Sequence, residues 1–592
     1  MKKIFSVLLF IFSLTIYSQF QFQKTWATYY FGGDAYMLDS KIDNDNNIVL
    51  VGFVMLKEYF SFYNTFTTPN CHQPNISPDN NSTRTEIFLA KFSPSGSLIW
   101  ATYYGGIHED YGWSLATDAQ NNIYIAGRTS SNSGIATAGS YIQTYLSGGN
   151  TSSFLAKFSS NGLLLWGTYL RDQVEDLVIN GNNDIYLFGT ALENSNLATS
   201  GAFIENFETY TSLASTNDNF NAFLLKFDAN GNKLAGTYLG RVLNSDGSNM
   251  SIDSLGNIIV SYVVEQDNGF YGSPTSFQTT MPGITSLVLS KYNPDLTQRI
   301  WSTYFGGNNG IRVGVIKVDQ QTDDIYLAGT TSCSNFIRTP NTHQRNLIST
   351  TDGYINKFNS NGNRIWGTYF GGENDFELFG NLSFKDNNLY FSGITKSFTN
   401  IATAGTYETV KTSLADKVTS FFGSFNKNNG TLNWCSYFGG ETWGTKILSK
   451  DNYFYLTGST YSQTGITTPN SLQPNFAIAP GSFQSPPGRN IVLARFDPNP
   501  LATNSFNKTK IILSPNPNRG SFSLQGNINN QDNLNLIIYD NLGRAVAINK
   551  INVLDNNINQ TFNLENVLTS GVYFAKLTNE NQVLETFKVL IR

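Results

Sequence analysis

Charge is scarce in this sequence. Of 592 residues, 38 are Lys or Arg and 43 are Asp or Glu, which gives a charged fraction of 14% and a net charge of −5. Ordinary soluble domains carry about 25% charged residues. A mildly acidic chain with no Lys/Arg run offers no basic stripe to phosphates, which excludes nucleic acid as a partner. Histidine is rarer still. Three His in the whole chain (His72, His108, His343) are too few and too scattered for a His-rich metal site or a Ser-His-Asp triad. Three Cys (Cys71, Cys333, Cys435) are odd in number and far apart, so they make neither a disulfide framework nor a Cys-x-x-Cys metal knuckle. Gly, at 51 residues, is far too sparse for a collagen-like chain. No Gly-rich phosphate loop stands before a helical stretch. After the N-terminus no apolar run approaches the roughly 18 residues of a membrane span, so the mature chain is expected to have no transmembrane segment.

Aromatic residues are abundant. The 44 Phe, 31 Tyr and 8 Trp make up 14% of the chain, which excludes a disordered polymer. The N-terminus itself reads as an address. Lys2 and Lys3 precede an apolar run from Ile4 to Tyr17, and Ser18 offers a small residue before Gln19. Residues 1–18 are therefore expected to be a secretory signal peptide.

The middle of the chain is one unit written seven times. A Trp-x-Thr-Tyr anchor recurs at Trp26, Trp100, Trp166, Ala235 (Ala in place of Trp), Trp301, Trp366 and Trp434. A second anchor is an apolar run ending in a basic residue and an aromatic, as in Lys91-Phe92 and Lys157-Phe158. A third is a strand that ends in Gly after an Asp/Asn turn, as in Asp43 to Gly52 and Asp118 to Gly127. A fourth is a loop signature: TTPNCHQ, ATAGSYIQ, RTPNTHQ, TTPNSLQ and their variants. Each unit then holds four strands, A to D, with hairpin chemistry at the A–B and C–D turns and a long B–C link. Seven four-stranded antiparallel units with no helical pattern predict a seven-bladed β-propeller over residues 19–500; a solenoid is the alternative. The ends are complementary. The first unit starts with an unpaired D strand (Thr25 to Tyr30) and the last ends with a C strand (Ile491 to Phe496). The N-terminal strand is expected to complete blade 7 and close the ring. These Trp-x-Thr-Tyr-aromatic-Gly-Gly and Asp-x-x-Asn-Asn-Ile-Tyr units resemble the bacterial β-propeller repeats known as SBBP repeats. The resemblance implies the fold and leaves activity open.

After a linker at 501–510 the chain changes character. Residues 511–592 show short strands of period 2 separated by turn chemistry, which predicts a small Ig-like β-sandwich. Ser514-Pro515-Asn516-Pro517, Gly520, the Tyr539-to-Arg544 run with Gly543, Gly571-x-Tyr573 and the closing Lys588-Val589-Leu590-Ile591 follow in order. This segment resembles the type A C-terminal sorting domain of the type IX secretion system of Bacteroidetes. Ser514 departs from the aromatic usual before Pro-Asn-Pro. The resemblance implies that Pro515, Asn516, Pro517, Gly520, Gly543 and Gly571 form the sorting motif. It also implies that the type IX machinery is a partner, that the protein is secreted or held at the outer cell surface by way of the periplasm, and that the tail is cleaved.

Strand A is innermost in a propeller, so the D–A loops ring the central mouth. Most of them carry acid: Asp34, Asp110, Asp172, Asp246, Asp375 and Glu441, beside Glu109, Glu175, Asp176, Glu373 and Glu377. The expected site is an acidic mouth binding Ca²⁺ or sugar hydroxyls, with Tyr104, Trp113 and Trp443 as stacking surfaces. The competing reading makes these acids turn caps. No cofactor is required, Ca²⁺ is the one candidate ion, and no catalytic residue is assigned. Two functions fit. One is an exported binding or adhesion protein that recognises a glycan or protein with its loop face. The other is a secreted polysaccharide lyase or hydrolase with a carboxylate pair at the mouth. Binding is preferred, because a sequence cannot show that any two of the acids converge.

Overall fold

The computed structural model describes residues 20–31, 33–57, 66–76, 83–146, 152–191, 195–208, 220–242, 249–265, 269–478, 488–499, 511–527, 534–554, 557–579 and 583–592. The expected signal peptide, the linker at 501–510 and Asp246 lie outside the described residues. Every described regular element is a β-strand. The chain forms two compact units, Met1–Ala502 and Thr503–Arg592.

Seven four-stranded antiparallel sheets build the first unit. Blade 1 is Ala35–Ile42, Ile48–Lys57, Thr83–Phe92 and Leu98–Tyr104. Blades 2 to 6 repeat it, beginning at Asp110, Gln173, Asn249, Ile311 and Leu378. Blade 7 takes Thr442–Lys450, Tyr453–Thr460 and Asn490–Pro498 from the end of the unit and Phe22–Tyr30 from its start. Each innermost strand touches the next, and that of blade 7 touches that of blade 1, so the ring is closed and the solenoid alternative falls. The closing pair runs antiparallel from Phe22↔Pro498 to Tyr30↔Ile491, with one register shift at Thr25.

The repeated motifs are blade-to-blade contacts. The indole Nε1 of five of the six anchor Trp residues donates to a carbonyl in the C–D hairpin of the next blade. Trp26 reaches Pro94 (3.2 Å), Trp100 Ser160 (3.0 Å), Trp166 Ala229 (3.2 Å), Trp301 Ser360 (3.0 Å) and Trp366 Lys427 (3.0 Å). The hairpin glycine beneath each indole (Gly96, Gly162, Gly231, Gly362, Gly430) has φ between +70° and +85°. A Cβ there would meet the ring at 2.6 to 3.1 Å, so both conformation and space require Gly. The seam between blades 3 and 4 inverts the arrangement. Ala235 stands where Trp is expected, and the hairpin position of Gly is held by Leu296, at φ +59° and fully buried. Leu296 fills from one blade the space that Trp fills from the other.

The loop signature is a strap over the outermost strand. In blade 1 Thr68 N–H donates to Ala101 O, Tyr103 N–H to Gln73 O, and Gln73 N–H to Thr102 Oγ1 (2.9 Å). The other six blades repeat these bonds through Thr137/Ile142, Thr199/Ile204, Ser273/Gln278, Thr339/Gln344, Thr403/Glu408 and Thr468/Gln473. The last signature side chain also accepts from the Gly-Gly link, as Gln73 from Gly105 N–H (3.2 Å) and Gln344 from Gly371 N–H (2.9 Å). Each strap thus covers an edge that would otherwise template aggregation. The recurrent part of the B–C link is therefore taken up at the circumference.

The A–B turns are closed on themselves. Asp43 Oδ1 accepts from Asp45 N–H (2.9 Å) and Asn47 N–H (2.8 Å), and its Oδ2 pairs with Lys91 Nζ at 2.7 Å. Lys291–Asp253 repeats that pair at 2.7 Å, and in blade 5 Lys357 instead meets Asp324 at the end of the turn, also at 2.7 Å. The basic residue of the second anchor therefore neutralises the turn Asp, which leaves Asp43 no free oxygen for Ca²⁺. His72 and His343 pack on the next blade's aromatic core, His72 against Phe158 (5.8 Å) and His343 against Phe425 (5.8 Å), and burial lowers the basicity of both.

The second unit has two four-stranded sheets, one holding Ser521–Asn527 beside Asn557–Asn563 and the other Leu534–Tyr539 beside Gly571–Thr578. A core of Phe522, Leu536, Ile538, Ala575 and Val589 lies within it. The Pro515-Asn516-Pro517 segment is tied to the closing strand. Asn516 donates from Nδ2 to Lys588 O (2.6 Å) and accepts at Oδ1 from Leu590 N–H (2.8 Å). Gly520, at φ +97°, has Glu565 backbone 2.7 Å from where a Cβ would lie. Gly543, at φ +79°, closes the Asp540 turn. Gly571 opens a strand, and a Cβ there meets nothing nearer than 3.6 Å, so space alone does not demand Gly.

Candidate functional site

The D–A loops line the mouth, and several of their acids are taken up by nearby loop donors. Asp110 is fully buried and accepts from Thr129 Oγ1 (2.5 Å), Ser131 Oγ (2.8 Å) and Gly106 N–H (2.8 Å). Asp34, 8% exposed, accepts from Arg489 N–H (3.3 Å). Asp172 accepts from Ser195 Oγ (2.7 Å). Asp375 is exposed and clamps the facing loop through Ser349 Oγ, Thr350 Oγ1 (2.6 Å) and Thr351 N–H (3.0 Å). Those donors, the Ser349 hydroxyl first, pull its carboxyl down to about 2. Glu441 holds its place through its own N–H on Ser462 Oγ (2.8 Å). Asp34, Asp110, Asp172 and Asp375 are thus occupied as loop clamps. Short loops present many N–H and hydroxyl donors, and a carboxylate is their strongest acceptor. Tyr104 is corrected, since it is fully buried with its hydroxyl on Ile135 O (2.8 Å). Among the described residues no three His, Cys, Asp or Glu side chains group as metal ligands.

Trp113 and Trp443 remain at the mouth, both half-buried, each with an indole N–H that no protein group accepts. They belong to a larger arc. Tyr36 stacks on Phe53 (4.6 Å, 9°), Phe53 meets Tyr111 edge-on (4.9 Å, 75°), and Tyr111 stacks on Trp113 (6.0 Å, 21°). The Arg489 guanidinium lies over Tyr36 (4.1 Å), Tyr461 (4.7 Å) and Trp443 (5.4 Å). At the far end Arg128 lies over Trp113 (5.6 Å) and pairs with Glu175 (2.8 Å). Four aromatic rings with a guanidinium at each end thus span blades 7, 1 and 2. Aromatic faces of this kind accept the apolar faces of sugars or other planar groups, and guanidiniums favour ligand oxygens and anions. The sequence reading missed Tyr36, Tyr111, Arg128 and Arg489. Their signal was an aromatic one or two residues after each mouth acid (DAY, EDYG, ETW) and an Arg at two strand ends (AGRT, GRN).

Below the arc the inner strands enclose a cavity of about 620 Å³. Its upper tier aligns Asp39, Ser114, Asp176, Asn249, Asn381 and Lys446, each opposite a residue of strand B. Most of these side chains stitch one blade to the next. Asp39 accepts from Leu115 N–H (3.1 Å), Asp176 from Met250 N–H (2.9 Å), and Asn249 from Ile316 N–H (3.0 Å).

Glu377 marks the seam of blades 5 and 6. It is fully buried and accepts from Thr395 Oγ1 and Ser397 Oγ at 2.8 Å each, while its Oε2 has no protein partner. Burial, with the nearby Asp352 carboxylate, pushes it up to about 7. The folded state therefore holds a proton that the unfolded chain releases near pH 4.5. That stabilisation is complete below pH 4.5 and is lost as pH rises to 7, to the extent of about 3 kcal/mol. Thermal melts from pH 5 to 8 are expected to fall for the parent and to flatten for Glu377→Gln, which should melt higher than the parent at pH 8. Parallel curves would refute a proton on Glu377.

Comparison with known proteins now adds the domain identities. Residues 513–592 match the secretion system C-terminal sorting domain, and residues 99–134 match the β-propeller repeat family SBBP. No curated protein matches the chain. Among solved structures, acylaminoacyl peptidase of Pyrococcus horikoshii is 10% identical over 86% of this chain and 60% of that one, with a TM-score of 0.35. The β-propeller domain of the Trilobed protease from Pyrococcus furiosus is 10% identical over 72% and 90%, with a TM-score of 0.34. No helix among the described residues is long and apolar enough to cross a membrane. The chain carries SBBP-type β-propeller repeats and ends in a type IX secretion-system C-terminal sorting domain, the mark of a protein sent out to the cell surface.

Proposed function

We propose that this protein is an exported, non-catalytic binding or adhesion protein whose ligand, a glycan or a protein, seats on the aromatic arc at the propeller mouth. The sorting domain delivers it and is removed at the outer surface. One observation carries the reading. Tyr36, Phe53, Tyr111 and Trp113 form a continuous, partly open aromatic row between Arg489 and Arg128, while the acids around it are taken up as loop clamps. Glycoside hydrolysis needs two carboxyl groups facing the sugar, one on each side of the scissile bond. Asp110 and Glu377 are sealed inside seams instead.

The test is a broad array of neutral and acidic glycans probed with the purified secreted protein, with Ca²⁺ and then with chelator. Specific binding is expected to survive chelation. It should weaken about tenfold in Trp113→Ala in a protein that still melts cooperatively, since a stacked ring contributes about 1.5 kcal/mol. Binding that Trp113→Ala leaves intact would remove the arc from the reading. A blank array would reject the glycan and direct the search to a protein ligand.

A further inference from the structure

The channel below the arc holds lysines that no internal carboxylate contacts directly. Lys41 (blade 1), Lys317 (blade 5) and Lys446 (blade 7) all line the 620 Å³ cavity. Lys41 pairs with Asp39 at 2.6 Å. Among the described residues Lys317 and Lys446 have neither an ion pair nor a hydrogen bond for their ammonium groups. Both are half-buried in the wall. The acids facing them are already spent. Asp39 accepts from Lys41, Ser40 N–H and Leu115 N–H, and Asp176 from Ser114 Oγ, Leu177 N–H and Met250 N–H. Glu175 is paired with Arg128, and Asp253 with Lys291. With Glu175 and Asp253 neutralised by Arg128 and Lys291, the cavity wall sets the three ammonium groups of Lys41, Lys317 and Lys446 against the carboxylates of Asp39 and Asp176.

We infer that the central channel is an oxyanion site in which Lys317 and Lys446 together hold one carboxylate, sulfate or phosphate group, with Lys41 beside them. The wall supports this chemistry in three ways. The lysines come from different blades, so only ring closure brings them to one cavity. Ammonium groups act as point charges and grip an oxyanion in any orientation. Enclosure strengthens that attraction relative to open water. Burial, and next the Lys41 ammonium, hold Lys317 down to about 8, with Lys446 also lowering it and Asp39 and Asp176 raising it. A bound anion reverses that shift. The group is either a free inorganic anion or the acidic substituent of a polymer that enters past Trp113. Trp113 of the arc borders the same cavity, but the inference needs no stacked ring.

The experiment is a thermal-shift and calorimetric titration of the full secreted protein with millimolar sodium sulfate and sodium phosphate against sodium chloride of equal ionic strength. A parallel titration uses a sulfated disaccharide. The parent, Lys317→Met, Lys446→Met and Trp113→Ala are compared. Sulfate or phosphate is expected to raise the parent's melting temperature, with affinity falling at least tenfold in either lysine variant and above pH 9. Without anion the Met variants should melt no lower than the parent, because each removes a buried charge; a merely structural lysine would give the opposite. Trp113→Ala should keep the response to inorganic anion. Response to the disaccharide alone, lost in both lysine variants, identifies a polymer substituent as the source. Equal melts in sulfate, phosphate and chloride with no disaccharide binding, or a response that survives both substitutions, would overturn the inference.

Discussion

A chain lacking Phe20 to Tyr30 is expected to have no folded monomer. That segment supplies the outer strand of blade 7, paired over its whole length with Asn490–Pro498. It buries Ala27, Tyr29 and Tyr30, and Trp26 reaches forward to Pro94 in blade 1. Phe20 and Phe22 then pack on Trp434 at 5.0 and 5.9 Å, in the place where a C–D hairpin meets the anchor Trp at other seams. Five aromatic side chains leave their sites together, at about 1.5–3 kcal/mol each. The sum of roughly 8–15 kcal/mol equals the whole net stability of an ordinary domain. Size-exclusion chromatography of the truncated chain should show aggregate or paired rings, in which one copy's exposed edge meets another's. A synthetic peptide of residues 20–31 should restore the monomer by adding the missing strand. A truncated monomer that melts like the parent would show that the shared blade does not hold the ring shut.

The seam between blades 3 and 4 is expected to show strong energetic coupling. Ala235→Trp forces an indole onto Leu296 and should destabilise by about 1–3 kcal/mol. Leu296→Gly empties a buried site, with Ala235 too small to fill it, and should cost about 2–5 kcal/mol, less what Gly recovers at a positive φ. The double variant reproduces the Trp-over-Gly arrangement of Trp166/Gly231 and Trp301/Gly362. Its loss should be smaller than the sum of the single losses by about 2 kcal/mol. Chemical denaturation of the four proteins measures the cycle. Additive effects would mean that Leu296 and the missing indole do not share one volume.

Much of the fold was legible because its contacts are written in residue types that tolerate few substitutes. Trp over a positive-φ Gly, Thr and Gln at a fixed spacing, and Asp opposite a basic strand residue recur with the blade, so periodicity alone exposes them. The complementary phase of Thr25–Tyr30 and Ile491–Phe496 even betrayed the closure. The mouth was read less well. An acid looks the same in sequence whether it faces a ligand or caps a loop; Asp110 is buried on the hydroxyls of Thr129 and Ser131, and exposed Asp375 is engaged by those of Ser349 and Thr350. Tyr104 was misplaced because the aromatic that follows Trp-x-Thr-Tyr points into a seam rather than toward the axis.

The sequence by itself determined the all-β class, the repeated blade, the closing strand and the sorting tail, since each is a local pattern or a repeat of one. Only the tertiary structure decided the site. Tyr36, Trp113, Trp443, Arg128 and Arg489, and the lysines of the channel, come from blades far apart in the chain. Ring closure makes them neighbours, and their charges and ring planes combine only when every intervening seam has formed.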